Sequence, residues 1–156
     1  MPCEIERKFL VKGDFHPYVG CSLRIRQGYL QTDAERTVRV RIKGDKAFLT
    51  VKGIGSPTGV TRNEWEYEIP SADAEEMLLL CREGFIDKIR HEIPCGSFIY
   101  EVDEFLGDNE GLVLAEIELP SEGAVFDRPA WLGEEVTGDP RYYNSRLVNH
   151  PYREWK

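Results

Sequence analysis

The sequence predicts a mainly β (α+β) protein, an eight-stranded antiparallel β-barrel or tunnel with a few covering helices. Three observations predict it. Apolar and polar residues alternate with period two over many short stretches, and Gly, Pro, Asp or Asn separate those stretches. Helical signals are confined to three places. Closure follows because an open sheet of that many strands would leave long unpaired edges.

The first strand spans 3–11, with Glu4, Glu6 and Lys8 on one face and Ile5, Phe9 and Val11 mostly on the other. Strands at 22–31, 36–43 and 46–53 follow. The last two are joined by Lys43-Gly44-Asp45-Lys46, a tight hairpin signal. A longer loop from Gly53 to Gly59, containing Pro57, leads into a strand over 60–69. A helix is predicted over 72–83, with a cap at Ser71, early acids and a stop at Gly84. Strands over 85–94, 97–106 and 111–119 complete the barrel. A short helix is expected over 121–127. Another is expected over 140–149, where Asp139 can cap and Pro140 suits the first helical position.

A chain of 156 residues, 41% hydrophobic and 31% charged, suits one domain over 1–156. No apolar run approaches the roughly 18–20 residues that a membrane span needs. The segment Met1 to Lys8 becomes charged at once and lacks the apolar core of a secretory signal, so a cytoplasmic location is expected. Cys3, Cys21, Cys81 and Cys95 form no C-x-x-C pair, and neither a disulfide framework nor structural zinc is expected. His16, His91 and His150 show no ligand spacing and read as surface or packing residues. The net charge of −8 argues against broad nucleic-acid binding, which needs a basic surface. It leaves room for a small anion held by a local basic cluster.

The strand faces carry the functional signal. Arg39, Arg41 and Lys43 share a face, as do Thr50 and Lys52; Arg62, Glu64, Glu66 and Glu68; Lys88 and Arg90; Glu101 and Asp103; and Glu116 and Glu118. Same-face neighbours stand roughly 7 Å apart. Like charges at that spacing repel unless a counter-charge is supplied. A polyphosphate with bound cations supplies both signs. Arg and Lys grip phosphate oxygens, while clustered carboxylates are the hard ligands Mg²⁺ or Mn²⁺ prefer. Charged faces turned inward would leave apolar faces outward. Helices would cover these only in part, and the remainder would favour a homodimer or packed loops.

Glu4-Ile-Glu-Arg-Lys8 resembles the E-x-E-x-K signature of the CYTH superfamily, also called triphosphate tunnel metalloenzymes. In the expected order follow Arg39-Val-Arg41, Thr50-Val-Lys52, Arg62-Asn-Glu64-Trp-Glu66, Lys88-Ile-Arg90, Glu101-Val-Asp103 and Glu116-Ile-Glu118. The ending from Trp131 to Thr137, then Asp139, Tyr142, Asn144 and Leu147, resembles the short bacterial members. The resemblance implies an eight-stranded tunnel, divalent-metal dependence and a small-molecule triphosphate substrate. The most similar members are inorganic triphosphatases that cleave tripolyphosphate to pyrophosphate and phosphate. It places a metal on Glu4, Glu6 and Glu116 or Glu118, and a second near Asp103 with Glu64 or Glu66. Lys8, Arg39, Arg41, Lys52, Arg62, Lys88 and Arg90 would bind substrate, and Glu4, Glu6, Lys8 and Asp103 would be catalytic. Arg24 and Arg26 are reserve candidates, and Tyr29 either narrows the tunnel or packs in its wall. Adenylate cyclase of class IV type, thiamine triphosphatase and nucleoside triphosphatase are alternatives in the same tunnel. A non-catalytic polyphosphate-binding module is an alternative of another class. An apolar carrier is disfavoured by the charge pattern.

Overall fold

A computed structural model describes residues 3–82 and 84–155. Nine strands run in the order β5-β4-β3-β2-β6-β7-β8-β1-β9, with β5 also pairing β1 so that eight of them close into a ring. They are β1 (Cys3–Val11), β2 (Cys21–Gln31), β3 (Arg36–Lys43), β4 (Lys46–Gly55), β5 (Thr61–Ile69), β6 (Phe85–Cys95), β7 (Phe98–Phe105), β8 (Val113–Glu118) and β9 (Leu132–Glu135). Every pairing is antiparallel. Consecutive strands neighbour one another through β2–β5, because alternating sequences joined by short turns pair locally. At the β3–β4 hairpin Lys43 pairs Lys46, and Gly44 takes the left-handed φ of 63° that the turn requires.

One edge of β1 is divided between two partners. Cys3–Ile5 pair with β5, whereas Phe9 and Val11 pair with β9. Between these halves the backbone of Glu6 donates to the Val60 carbonyl, and that of Lys8 to Thr137 Oγ1. The two flanking segments meet at glycines. A Cβ on Gly59 would lie 2.6 Å from the Gly138 Cα, and both residues have positive φ. No other residue type fits that crossing.

The register puts the predicted charged faces inside and most apolar faces outside. The outer face of β1, β7 and β8 carries Phe9, Val102, Ala115 and Ile117, packed with Phe15, Tyr100, Trp131 and Leu132. Each such large side chain contributes roughly 1.5–3 kcal/mol by burial. On the far side Val40, Ile42 and Ala47 lie under Ala74 and Met77 of α1 (Ser71–Leu78). A third cluster, Ile86, Phe105, Leu112, Leu114, Tyr142 and Leu147, plugs one end of the barrel. Among the described residues no helix is long and apolar enough to cross a membrane.

Several boundaries differ from the sequence reading. The expected helix over 121–127 is absent: 121–123 turn, and 124–129 have no regular secondary structure. Gly123 and Pro129 bracket that stretch, and its irregular course lays Ala124 and Phe126 onto the outer apolar face, with Phe126 edge-on to Phe9. Burial there outweighs weak helical propensity. Strand β9 has no sequence signal, since Leu-Gly-Glu-Glu lacks alternation. It exists because the free half-edge of β1 needs a partner. The helix predicted over 72–83 ends at Leu78 and begins without a side-chain cap, because Ser71 Oγ donates instead to the Asp45 carbonyl. Glu83 lies outside the described residues. The helix expected over 140–149 divides into a 3-10 turn, Pro140–Tyr142, and α2 (Asn144–Leu147). Asp139 caps the turn by accepting from the Arg141 backbone N–H.

Candidate active site

The strand interiors enclose a cavity of about 510 Å³ whose lining includes Glu4, Glu6, Lys8, Arg39, Arg41, Lys52, Arg62, Glu64, Glu66, Lys88, Arg90, Glu116 and Glu118. These are all the sequence-predicted site residues except Asp103. They converge because inward positions recur every second residue and the antiparallel register aligns them: Glu6 with Glu118, Lys8 with Glu116, Thr50 with Glu66, Lys52 with Glu64.

One side is crowded with cations. Arg39 and Arg41 of β3 reach Glu66 at 3.4 and 3.5 Å, and the Thr50 hydroxyl holds the same carboxylate at 2.7 Å. The Nε atoms of both arginines are buried and have no hydrogen-bond partner. Burial, with Arg39 and Arg90 close by, pushes Arg41 down to about 10. Unsatisfied donors and mutually repelling guanidinium groups fit an environment completed by an anion. Arg62 is differently placed: its Nε donates to the Gly53 carbonyl and its NH2 to Thr37 Oγ1, which fixes it against β4 and β3.

The opposite side is crowded with carboxylates. Burial pushes Glu6 well above its ordinary value, and neighbouring Glu116 and Glu4 push it further. Burial also works to raise Glu116, but Lys8, a hydrogen bond with Glu6, and Arg90 and Lys88 hold it well below. The two neighbouring carboxyls are thus driven apart, Glu6 upward and Glu116 downward. Burial raises Glu118 and Glu64 as well, with Glu4 adding to both. Glu4 itself resists burial through Lys52, whose Nζ lies 2.9 Å from Oε1, and stays below its ordinary value. Converging hard oxygen donors that repel one another suit a divalent cation such as Mg²⁺ or Mn²⁺. Glu4, Glu6, Glu116 and Glu118 would hold it.

Asp103 departs from the expected role. It is 1% exposed and does not line the cavity. Its two oxygens accept from Arg90 Nε and NH2 at 2.8 and 2.9 Å, and Lys88 Nζ lies 2.9 Å away. Burial would raise it, but Arg90 and Lys88 outweigh burial and keep it low. Both of its oxygens are thus engaged by the Arg90 and Lys88 cations, beneath the cavity floor rather than in it. Lys88 also donates to Asn144 Oδ1 at 3.1 Å, and complete burial pushes it down to about 8 despite Asp103.

Arg24 and Arg26 lie on the outer face of β2, paired with Asp87 and Glu75. Tyr29 lines the cavity and accepts from Gln27 Nε2 at 3.1 Å, so it both packs and narrows the space. The structure adds lining residues that sequence reasoning left out of the site: Glu101 beside Arg90, and Thr137, Tyr143, Asn144 and Arg146 from the segment folded over the barrel end. Glu101 was legible from its parity with Asp103. The others have no periodic signal, because they sit in turns and a single-turn helix.

Residues 3–143 match the CYTH domain family. An inorganic triphosphatase of Acetivibrio thermocellus is 53% identical over 154 residues, spanning 98% of this chain and 97% of the relative. An inorganic triphosphatase of Nitrosomonas europaea is 40% identical over 155 residues, covering 93% and 96%. The crystal structure of the inorganic triphosphatase NE1496 superposes with a TM-score of 0.68 at 34% identity, covering 96% of each chain.

Proposed function

The chain belongs to the CYTH domain family, and from that premise we propose that it is a divalent-metal-dependent inorganic triphosphatase. Its substrate is then tripolyphosphate, cleaved to pyrophosphate and phosphate. One observation carries this reading: two mutually repelling arginines whose buried Nε atoms have no partner, and a crowded set of buried glutamates, face one cavity. A polyanion with its cations satisfies both sides at once. The relatives named inorganic triphosphatase support the same substrate class.

In this reading Arg39, Arg41, Lys52, Arg62, Lys88, Arg90 and Lys8 grip the phosphate chain and take up charge as the leaving pyrophosphate forms. Glu4, Glu6, Glu116 and Glu118 hold a Mg²⁺ or Mn²⁺ ion, and Glu64 and Glu66 offer a second, weaker locus. Bound cations would supply positive charge against the phosphate oxygens and acidify a water. Glu6 would hold the cation as the ionised carboxylate, the form a ligand must take. Asp103 is a positioning residue that locks the Arg90 fork and the Lys88 ammonium, so that less order remains to be imposed at the moment of reaction. We place the enzyme in the cytoplasm, where the unremarkable Cys usage is at home.

The test is phosphate release from tripolyphosphate, thiamine triphosphate and ATP, each with Mg²⁺, Mn²⁺ or EDTA, with cyclic AMP separated from phosphate in the ATP arm. Metal-dependent release from tripolyphosphate, fastest of the three, is the expected result. Tight tripolyphosphate binding without release would identify a binding module instead. Cyclic AMP as the main product would identify a cyclase.

A further inference from the structure

On the outer wall, away from the cavity, three side chains far apart in sequence meet. His16 belongs to a 3-10 turn (His16–Tyr18) in the segment between β1 and β2, His91 to β6, and Glu104 to β7. The Nε2 atoms of both histidines point at the same atom, Glu104 Oε1, at 3.0 and 2.8 Å. One ligand atom from each of the three lies within 4.8 Å of the others. We propose that His16, His91 and Glu104 form a second metal site that takes a zinc-class transition ion and staples the β1–β2 segment to the β6–β7 wall.

The geometry is close to what such an ion needs. Bonds of about 2.0–2.1 Å in a tetrahedral site separate neighbouring ligand atoms by about 3.3 Å. The present contacts would have to widen only slightly to admit the ion. Each histidine is also supported from behind. His16 Nδ1 lies 2.8 Å from Asp14 Oδ1, and His91 Nδ1 lies 2.7 Å from Ser22 Oγ. Asp14 and Ser22 can each accept from a proton-bearing Nδ1, the tautomer that would offer the Nε2 lone pair to an ion in place of the present Nε2–Glu104 hydrogen bond, as partners of metal-bound histidines do. The rings are held in place by Phe15, which is buried, stacks on His16 at 4.2 Å and lies 5.4 Å from His91. His16 is 60% exposed, which leaves solvent access for a fourth ligand.

Donor chemistry separates this site from the cavity. Two imidazoles and one carboxylate favour Zn²⁺, Ni²⁺ or Cu²⁺, while an all-carboxylate set favours Mg²⁺ or Mn²⁺. The outer site carries no part of the proposed hydrolysis and does not depend on that reading. Its effect is mechanical: it clamps the strand whose opposite face presents Lys88 and Arg90.

Zn²⁺ titration of the full chain in excess Mg²⁺ should show one bound equivalent and a rise in melting temperature. His16→Ala and His91→Ala should each weaken that binding at least tenfold and remove the melting shift, while leaving Mg²⁺-supported activity unchanged. Asp14→Asn and Ser22→Ala should weaken it roughly tenfold, as loss of an outer partner does. Cu²⁺ bound in place of zinc should show nitrogen coupling from two imidazoles in the parent and from one in His16→Ala. Zinc binding that is undiminished in the His16→Ala/His91→Ala double variant, a copper spectrum without nitrogen coupling, or no zinc uptake by the parent would each overturn the proposal.

Discussion

Along the inward face of β6, Ile86 and Lys88 are next-but-one neighbours, yet they belong to two different interiors. Ile86 sits in the plug with Phe105, Leu114, Tyr142 and Leu147, a cluster of buried hydrophobic side chains. Lys88 faces Asp103, Arg90 and Asn144, where charge is balanced only in pairs and some donors nearby stay unmatched. A single pleat separates a region that stabilises the barrel from one that strains it. Removing atoms from the first should cost stability and spare chemistry. Neutralising a charge in the second should do the reverse.

The largest test of that contrast is Glu6→Gln. It should lower tripolyphosphate turnover by roughly two to three orders of magnitude, the scale on which electrostatic contributors to catalysis act. Circular dichroism and melting temperature should hold or improve, because the variant relieves crowding with Glu116 and Glu4. Full activity in Glu6→Gln would remove Glu6 from the site. The complementary change is Leu114→Ala in the plug, which should cost about 2–5 kcal/mol of unfolding free energy in a denaturant titration. Its kcat should remain near the parent value. A large kcat loss at full stability would show that the two interiors are not separable.

The contrast also explains what could be read from sequence. Glu4, Glu6, Arg39, Arg41, Lys88 and Arg90 alternate with apolar residues, so strand period and inward direction were both legible in them. Local alternation does not encode what depends on distant partners. Asp103 has the same parity as Glu101, and its burial beneath Arg90 and Lys88 becomes visible only when β6 and β7 pair. Strand β9 and the irregular 124–129 segment have no period of their own; each takes its shape from the surface it covers. The meeting of His16 with His91 is of that kind too, because a strand and a turn far along the chain must first come together.

A smaller effect is expected at the cation-rich side. Arg39→Ala should raise KM about tenfold, the loss of one charge-assisted grip, with less change in kcat if Arg39 holds ground and transition states alike. An equal fall in kcat and kcat/KM would place its action in the transition state instead. The mildest test is pH. Lys88, pushed down to about 8 by burial, is charged below that value and loses its proton above it. Substrate affinity should therefore be full below about pH 8 and weaken as pH rises through it. The sign for stability is opposite: the buried charge penalises the fold below pH 8, and that penalty fades as pH climbs toward the ordinary lysine range. Lys88→Arg should keep KM flat to higher pH, and an unchanged KM profile would detach Lys88 from substrate.

The divided edge of β1 bears on how the molecule is made. Its partners β5, β8 and β9 all lie later in the chain, and β8 and β9 lie far later. During synthesis Glu4 and Glu6 emerge ahead of every other barrel carboxylate, yet their strand can find β8 and β9 only after most of the polypeptide has left the ribosome. The hairpins from β2 to β5 can assemble meanwhile. The ring should shut last at β1, so the carboxylate cluster is completed only once the wall around it is nearly finished.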